Sequence, residues 1–316
     1  MTAFIHWLKT HRQIKLNFIL ALVILSLIPG RNKLYDLDLG ETRPLVRPVS
    51  LVLPPAADNP VNTTGMPAPW LSARAAVVID VDSKTIIYAK NPDLRLLPAS
   101  TTKIMTALVV LQAYPLDKVI TIDSVHQTGQ VMELQPGERI TVENLLYGLL
   151  VQSANDAATV LAQNYPGGED AFIDQMNRQA QDMGLTNTHF TNAPGLDAYG
   201  HYTSAHDLAL IAAKAMTNPT FKSIVNTLGI TVSDADNTVS HDLTSVDELL
   251  GVVPGLVGVK TGWTELAGEC FVSYVSRNGR DLITVVLGSS DRFGETTNLI
   301  NWAYSNFQWQ VFPAIR

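Results

Sequence analysis

The strongest constraint on this chain is a pair of β-rich hairpins at opposite ends of its foldable part. Ala75–Asp80 and Thr85–Ala89 flank the turn-forming Asp82-Ser83. Cys270–Ser276 and Leu282–Leu287, rich in Val, Ile, Tyr and Phe, are joined through Asn278-Gly279, a dipeptide that strongly favours a tight hairpin turn. Between the hairpins the apolar period changes from that of a strand to that of a helix. Ile104, Ala107, Leu108 and Leu111 make an i, i+3, i+4, i+7 stripe, and Val142, Leu145, Leu146, Leu149 and Leu150 make a second. Further helices are expected over Glu169–Met183, over Ala205–Met216 with Ser204 and Asp207 as a capping-box-like pair, and over Glu295–Phe307. Terminal strands bracketing a helical middle predict an α/β fold, with one antiparallel sheet sandwiched by helices and an all-helical lobe. No internal repeat is visible.

The N-terminus has a different character. Lys9, Arg12 and Lys15 precede an apolar run from Leu16 to Ile28 broken only by Asn17 and Ser26, the charged-then-hydrophobic order of an export signal. The run is shorter than the roughly 20 residues of a full span, yet no small-x-small cleavage site follows it. An uncleaved anchor over residues 1–30 is favoured, with a cleaved signal left open, so the chain is expected outside the cytoplasmic membrane. Residues 31–70 contain Pro44, Pro48, Pro54, Pro55, Pro60, Pro67 and Pro69, which predicts an extended, semi-rigid stalk. Residues 71–316 remain for the main folded domain, and a hydrophobic content of 46% can supply its core. A formal charge of -7 leaves no basic stripe for phosphates and argues against a nucleic-acid partner. The one cysteine, Cys270, rules out an internal disulfide and a cysteine-based metal site, and reads as a small buried hydrophobe.

Three short motifs follow in order: Ser100-Thr101-Thr102-Lys103, Ser153-Ala154-Asn155 and Lys260-Thr261-Gly262. Ser100 opens the first helical stripe, and Lys103 stands one turn later on the same face. A serine hydroxyl needs a base to take its proton, and a lysine serves only where burial or a nearby cation depresses its pKa. The apolar helix around Lys103 supplies the first condition and Lys260 the second. Ser153-Ala154-Asn155 falls between two helices and can present a hydroxyl and an amide to a cleft. The glycine-rich run Gly255–Gly262 reads as a strand that something approaches closely, with Lys260 and Thr261 offering a cation and a hydroxyl to an anion. Each motif alone has a plainer alternative: a helix N-cap with a surface lysine, an N-cap before the next helix, and an edge strand with a solvated lysine. Ser276-Arg277-Asn278 reads as a strand end rather than a second site. His201, His206 and Asp207 match no zinc spacing and read as a loop histidine and a helix cap. There is no G-x-S-x-G and no H-E-x-x-H motif.

The motif triple resembles that of penicillin-binding proteins and class A β-lactamases. Leu134-Gln135-Pro136-Gly137-Glu138, Ser153 to Ala158, Asn192-Ala193-Pro194-Gly195-Leu196, Gly200-His201-Tyr202-Thr203 and Arg292-Phe293-Gly294-Glu295-Thr296 are similar to the D-alanyl-D-alanine carboxypeptidase branch of the low-molecular-mass penicillin-binding proteins. The likeness covers about Ala73 to Phe307 and implies the β-lactamase/transpeptidase-like fold. It implies that Ser100 attacks the penultimate D-alanine carbonyl of a peptidoglycan stem peptide, that Lys103 takes the proton, and that water releases the acyl-enzyme. It assigns the oxyanion donors to the backbone N–H groups of Ser100 and Trp263, proton relay to Ser153, the substrate amide to Asn155, and the terminal carboxylate to Lys260 and Thr261 beside Gly262. Neither metal nor cofactor is implied. β-Lactams should acylate Ser100 and persist, because no Glu-x-x-Leu-Asn loop follows the second motif.

Two departures stand out. Trp263 occupies a position where these enzymes often have His, and is expected to line the cleft or stack on substrate. Longer relatives continue into a β-rich domain and an anchor helix, so anchoring is expected to fall to the N-terminus here. The alternatives are a DD-endopeptidase on cross-linked peptidoglycan and a non-catalytic β-lactam or cell-wall binding module. Intact Ser100, Lys103, Ser153, Asn155 and Lys260 argue against the latter.

Overall fold

The computed structural model describes residues 12–27, 58–124 and 128–311, and the chain divides into two units, residues 1–54 and 55–316. In the first unit, helix α1 (Arg12–Leu27) coincides with the apolar run. Among the described residues no helix is long and apolar enough to cross a membrane. Residues 31–57 of the stalk expected over 31–70 lie outside the described residues.

The second unit is built on its two hairpins. Strands β2 (Ala75–Asp80) and β3 (Ile86–Lys90) form one. The long strands β9 (Gly268–Arg277) and β10 (Arg280–Ser289) form the other, turning through Asn278 and Gly279 at φ +53° and +72°, the left-handed pair that a type I′ turn requires. With β8 (Leu256–Thr264) they make a five-stranded antiparallel sheet in the order β3-β2-β10-β9-β8. All six residues of β2 are buried, because helices cover both faces. Ala76, Val78, Leu282 and Val286 pack on Leu299 and Ala303 of the C-terminal helix, whereas Ala75, Val77, Ile283 and Val285 face the main core. This is period-two alternation with both sides dry.

The intervening chain forms the lobe: α2 (Lys103–Ala113), α3 (Val142–Leu150), α4 (Asn155–Gln163), α5 (Gly168–Asp182), α6 (Ala205–Met216) and α7 (Pro219–Val225). The last helix, α8 (Arg292–Asn306), covers the far face of the sheet. Lys103 through Val110 are all buried, which makes α2 the axis of the lobe. Two small ribbons complete it, β4 (Val119–Thr121) with β5 (Arg139–Thr141) and β6 (Gly229–Ser233) with β7 (Ser240–Thr244). The expected α/β sandwich with a helical lobe is the observed fold.

Two expectations change in detail. The folded part begins before residue 71: β1 (Asn59–Asn62) pairs with β11 (Phe307–Gln310), and Asp58 forms an ion pair with Arg280. Backbone pairing therefore orders a segment whose proline content suggested a stalk. At α6, Ser204 Oγ accepts the Asp207 N–H at 3.1 Å. The reciprocal half of the box is absent, because the Asp207 carboxylate is taken by the Asn187 N–H and the Thr188 hydroxyl.

Candidate active site

Ser100 stands on a 3-10 turn, Ala99–Thr102, that leads into α2. Ala99 has φ +50° and Ser153 has φ +65°, a region that side chains other than glycine rarely occupy and that costs about 1–3 kcal/mol per residue. The turn is clamped from both sides. A Cβ on Gly262 of β8 would lie 2.9 Å from the Ser100 nitrogen, and one on Gly195 would lie 2.0 Å from the Ala99 oxygen. From below, the Nδ1 of buried His201 accepts the Thr191 N–H at 3.0 Å, so its Nε2–H donates to Thr102 Oγ1 at 2.9 Å. Burial, with His189 nearby, holds the His201 pKa down at about 4, which keeps the ring neutral.

Lys103 is the centre of the constellation. Its Nζ lies 2.9 Å from Ser100 Oγ, 2.7 Å from Asn155 Oδ1 and 2.7 Å from the Pro194 carbonyl. The last two partners can only accept. A neutral amine would spend its two N–H groups on them and turn its lone pair to Ser100, which is the orientation a general base needs. Burial first and the Lys260 cation second push the Lys103 pKa well below its ordinary value, against an opposing pull from Asp156. Both conditions for a basic lysine are therefore met.

Ser153 lies in the short link between α3 and α4, and Asn155 is the first residue of α4. The Asn155 amide is engaged at both ends, its Oδ1 by Lys103 and its Nδ2 by the Thr128 carbonyl at 2.8 Å. These two contacts brace Asn155 between α2 and the wall at Thr128, and the residue also lines the cavity, where its second N–H remains for the expected contact to a substrate amide. Asp156 fixes that wall. Its buried carboxylate accepts the N–H groups of Met132, Leu134 and Ala157.

A cavity of about 530 Å³ opens over Ser100, lined by Ser153, Asn155, Thr261, Gly262 and Trp263 among others. Trp263 is 62% exposed at its mouth. Lys260 differs from the solvated lysine of an edge strand. Although β8 is an edge of the sheet, Lys260 is 1% exposed and lies behind the lining, donating to the Thr261 carbonyl at 3.1 Å. Burial lowers its pKa to about 7, with Asp247 opposing and Arg292 assisting. The cation that lines the cavity is Arg292, whose Nη1 donates to the Gly262 carbonyl at 3.3 Å. Cys270 is buried on β9, its thiol pKa pushed up to about 11 by desolvation.

The sequence motifs thus converge: Ser100, Lys103, Ser153, Asn155, Thr261, Gly262 and Trp263 share one cleft, with Lys260 behind it. The sequence reading did not single out Arg292, Asp156, Asp247 or the Pro194 carbonyl, which the structure places in or against the site. Arg292 and Pro194 stood in segments quoted only for their likeness to relatives. Asp156 directly follows the second motif, a position at which a buried carboxylate could have been suspected.

The family model described as D-alanyl-D-alanine carboxypeptidase matches residues 62–291. The D-alanyl-D-alanine carboxypeptidase DacF of Bacillus subtilis is 35% identical over 249 residues, which is 75% of this chain and 63% of that protein. A D-alanyl-D-alanine endopeptidase of Pseudomonas aeruginosa is 31% identical over 86% of this chain and 88% of its own length. The crystal structure of the Streptomyces K15 DD-transpeptidase superposes with a TM-score of 0.72 at 33% identity, covering 76% of this chain and 100% of that one. A serine beside a buried lysine, in the architecture of a DD-peptidase and with sequence likeness along most of the chain, has one family home: the protein belongs to the D-alanyl-D-alanine carboxypeptidase family of serine peptidases.

Proposed function

We propose that the protein removes the terminal D-alanine from peptidoglycan stem peptides through an acyl-enzyme on Ser100, outside the cytoplasmic membrane and held there by its N-terminal segment. The observation that carries this reading is the Lys103 amine, buried, 2.9 Å from Ser100 Oγ and facing acceptors with its other two directions. Ser100 Oγ attacks the carbonyl of the penultimate D-alanine while its proton passes to Lys103 Nζ. The oxyanion is held by the backbone N–H groups of Ser100, an unbonded donor at a helix start, and of Trp263 on the facing strand. Collapse breaks the C–N bond, and the proton reaches the departing amine by way of Ser153. A water then attacks the ester and gives its proton to Lys103, which passes it to Ser100 Oγ as the ester C–O bond breaks, restoring the free serine and the neutral amine. The terminal carboxylate is bound by the Thr261 hydroxyl and the Arg292 guanidinium in the field of Lys260, which accounts for cleavage at a chain end. β-Lactams, which present a carboxylate and a reactive amide in the same relation, acylate Ser100 and stay.

The test is release of D-alanine from a peptide ending in D-Ala-D-Ala by the fragment from Asp58, beside Ser100→Ala. Release that disappears in the variant supports the reaction and the nucleophile together. The likeness to an endopeptidase supports a second reading, hydrolysis of cross-links. Cleaved dimers without free D-alanine would favour it. Fluorescent penicillin bound at Ser100 with neither product would favour a binding module. For the anchor, fractionation of the full chain should leave it with the membrane, and recovery in the soluble fraction would sink that part.

A further inference from the structure

Beside Lys260 and Arg292 lies a buried carboxylate, Asp247, that the reaction scheme does not use. Lys260 has one protein partner among the described residues, the Thr261 carbonyl, so two of its three N–H groups are uncommitted. Asp247, in the loop that leads into β8, is buried. Its Oδ1 accepts the Leu249 N–H at 2.9 Å and its Oδ2 has no partner. Arg292 Nε is likewise buried without a partner. The loop is tied to the site, because Val246 lines the cavity and its N–H donates to the Val151 carbonyl, just before the Ser153 link. Asp247 and Lys260 make no direct ion pair within 4 Å, yet each acts electrostatically on the other.

We propose that Asp247 is a positioning residue for substrate binding, its buried carboxylate being the counter-charge that keeps Lys260 a cation behind the wall where the substrate carboxylate docks. The inference rests on the DD-peptidase reading. The loss of water first, and the Arg292 guanidinium at the start of α8 with it, favour release of a proton from Lys260 on β8. Asp247 is the carboxylate that opposes them. Burial raises its own pKa to about 6, so above that pH its charge supports Lys260, whose pKa of about 7 already includes the Asp247 contribution and would lie lower without it. The effect reaches the base as well, since a charged Lys260 helps keep Lys103 neutral.

The experiment is the pH dependence of kcat/KM for D-alanine release by the unaltered protein, Asp247→Asn and Asp247→Glu. For Asp247→Asn the alkaline limb should move about one pH unit toward acid, the low end of what a nearby opposite charge does. The loss should fall on KM more than on kcat, and the profiles should approach one another on the acid side. Asp247→Glu, which keeps the charge, should hold the limb in place. A limb unmoved in Asp247→Asn, or a uniform drop across the whole range, would overturn the proposal. Should Asp247→Asn not fold, the ε-carbon resonance of Lys260 in the unaltered protein decides: an inflection at the titration of Asp247 supports the coupling, and its absence refutes it. Absence of D-alanine release by the unaltered protein would instead strike the DD-peptidase reading itself.

Discussion

Gly262→Ala is the sharpest probe of how the fold holds the nucleophile. The added Cβ would sit 2.9 Å from the Ser100 nitrogen, 3.0 Å from the Ala99 Cβ and 3.1 Å from the Thr101 nitrogen. Carbon and its neighbours prefer separations of about 3.5–4.0 Å, so β8 and the Ser100 turn must part by roughly 0.5–1 Å. None of the three opposing atoms can rotate away, because two are backbone and the third is the Cβ of an alanine. The gap that opens is the one between the two N–H groups proposed to hold the oxyanion and beside Ser100 Oγ. A displacement of about 1 Å at a reacting centre costs on the order of 100-fold in rate, or about 2.7 kcal/mol. Overpacking should cost about 1–3 kcal/mol in stability, a fall in Tm of several degrees rather than loss of folding. The assay pairs the second-order rate of acylation by a fluorescent penicillin with a thermal melt. An alanine variant that acylates within about threefold of the parent rate would show that strand and turn are not held in fixed register, and the argument would fail.

Further outcomes follow from the same geometry. Because Lys103 must be neutral to accept a proton and its pKa lies well below the ordinary value, acylation should rise with pH in a limb far below the usual lysine range of about 10.4. Lys260→Ala removes a like charge and should move that limb toward higher pH, whereas an unmoved limb would remove Lys260 from the argument. Asp156→Ala leaves three buried N–H groups without an acceptor, at about 1–3 kcal/mol each. Chemical denaturation should register a loss of at least about 3 kcal/mol, and a loss under 1 kcal/mol would mean the wall is pinned by other contacts. Cys270, buried with its thiol pKa near 11, should resist thiol reagents at pH 8 in the native protein and react on unfolding. Rapid native labelling would contradict its placement.

How far the sequence reaches depends on whether the physics is local. Asn278-Gly279 specifies its turn because few residues tolerate left-handed backbone, and both hairpins lie where their composition implied. The stripe from Ile104 to Leu111 identified a helix buried all round, and that in turn placed Lys103 away from water. Motif order was enough to bring Ser100, Lys103 and Ser153-Ala154-Asn155 together.

What stayed hidden depends on contacts between segments distant in the chain. Every residue carries a carbonyl, so nothing local marks that of Pro194 as the acceptor for Lys103, and it emerges only when the 192–196 loop packs beside α2. Asn155 and Lys260 were visible as residue types, but their partners were not. Packing gave both ends of the Asn155 amide to the protein and sealed Lys260 behind the wall, leaving the exposed cation's place to Arg292. The prolines near residue 60 announced a stalk because proline lacks a donor, yet the partner that orders Asn59–Asn62 is a strand at the far end of the domain. The sequence by itself determined the three motifs that meet at one cleft and most of the segments that are helix or strand. Tertiary structure decided which of those groups meet water, substrate or one another, because burial and charge proximity arise only when distant segments close on the same space.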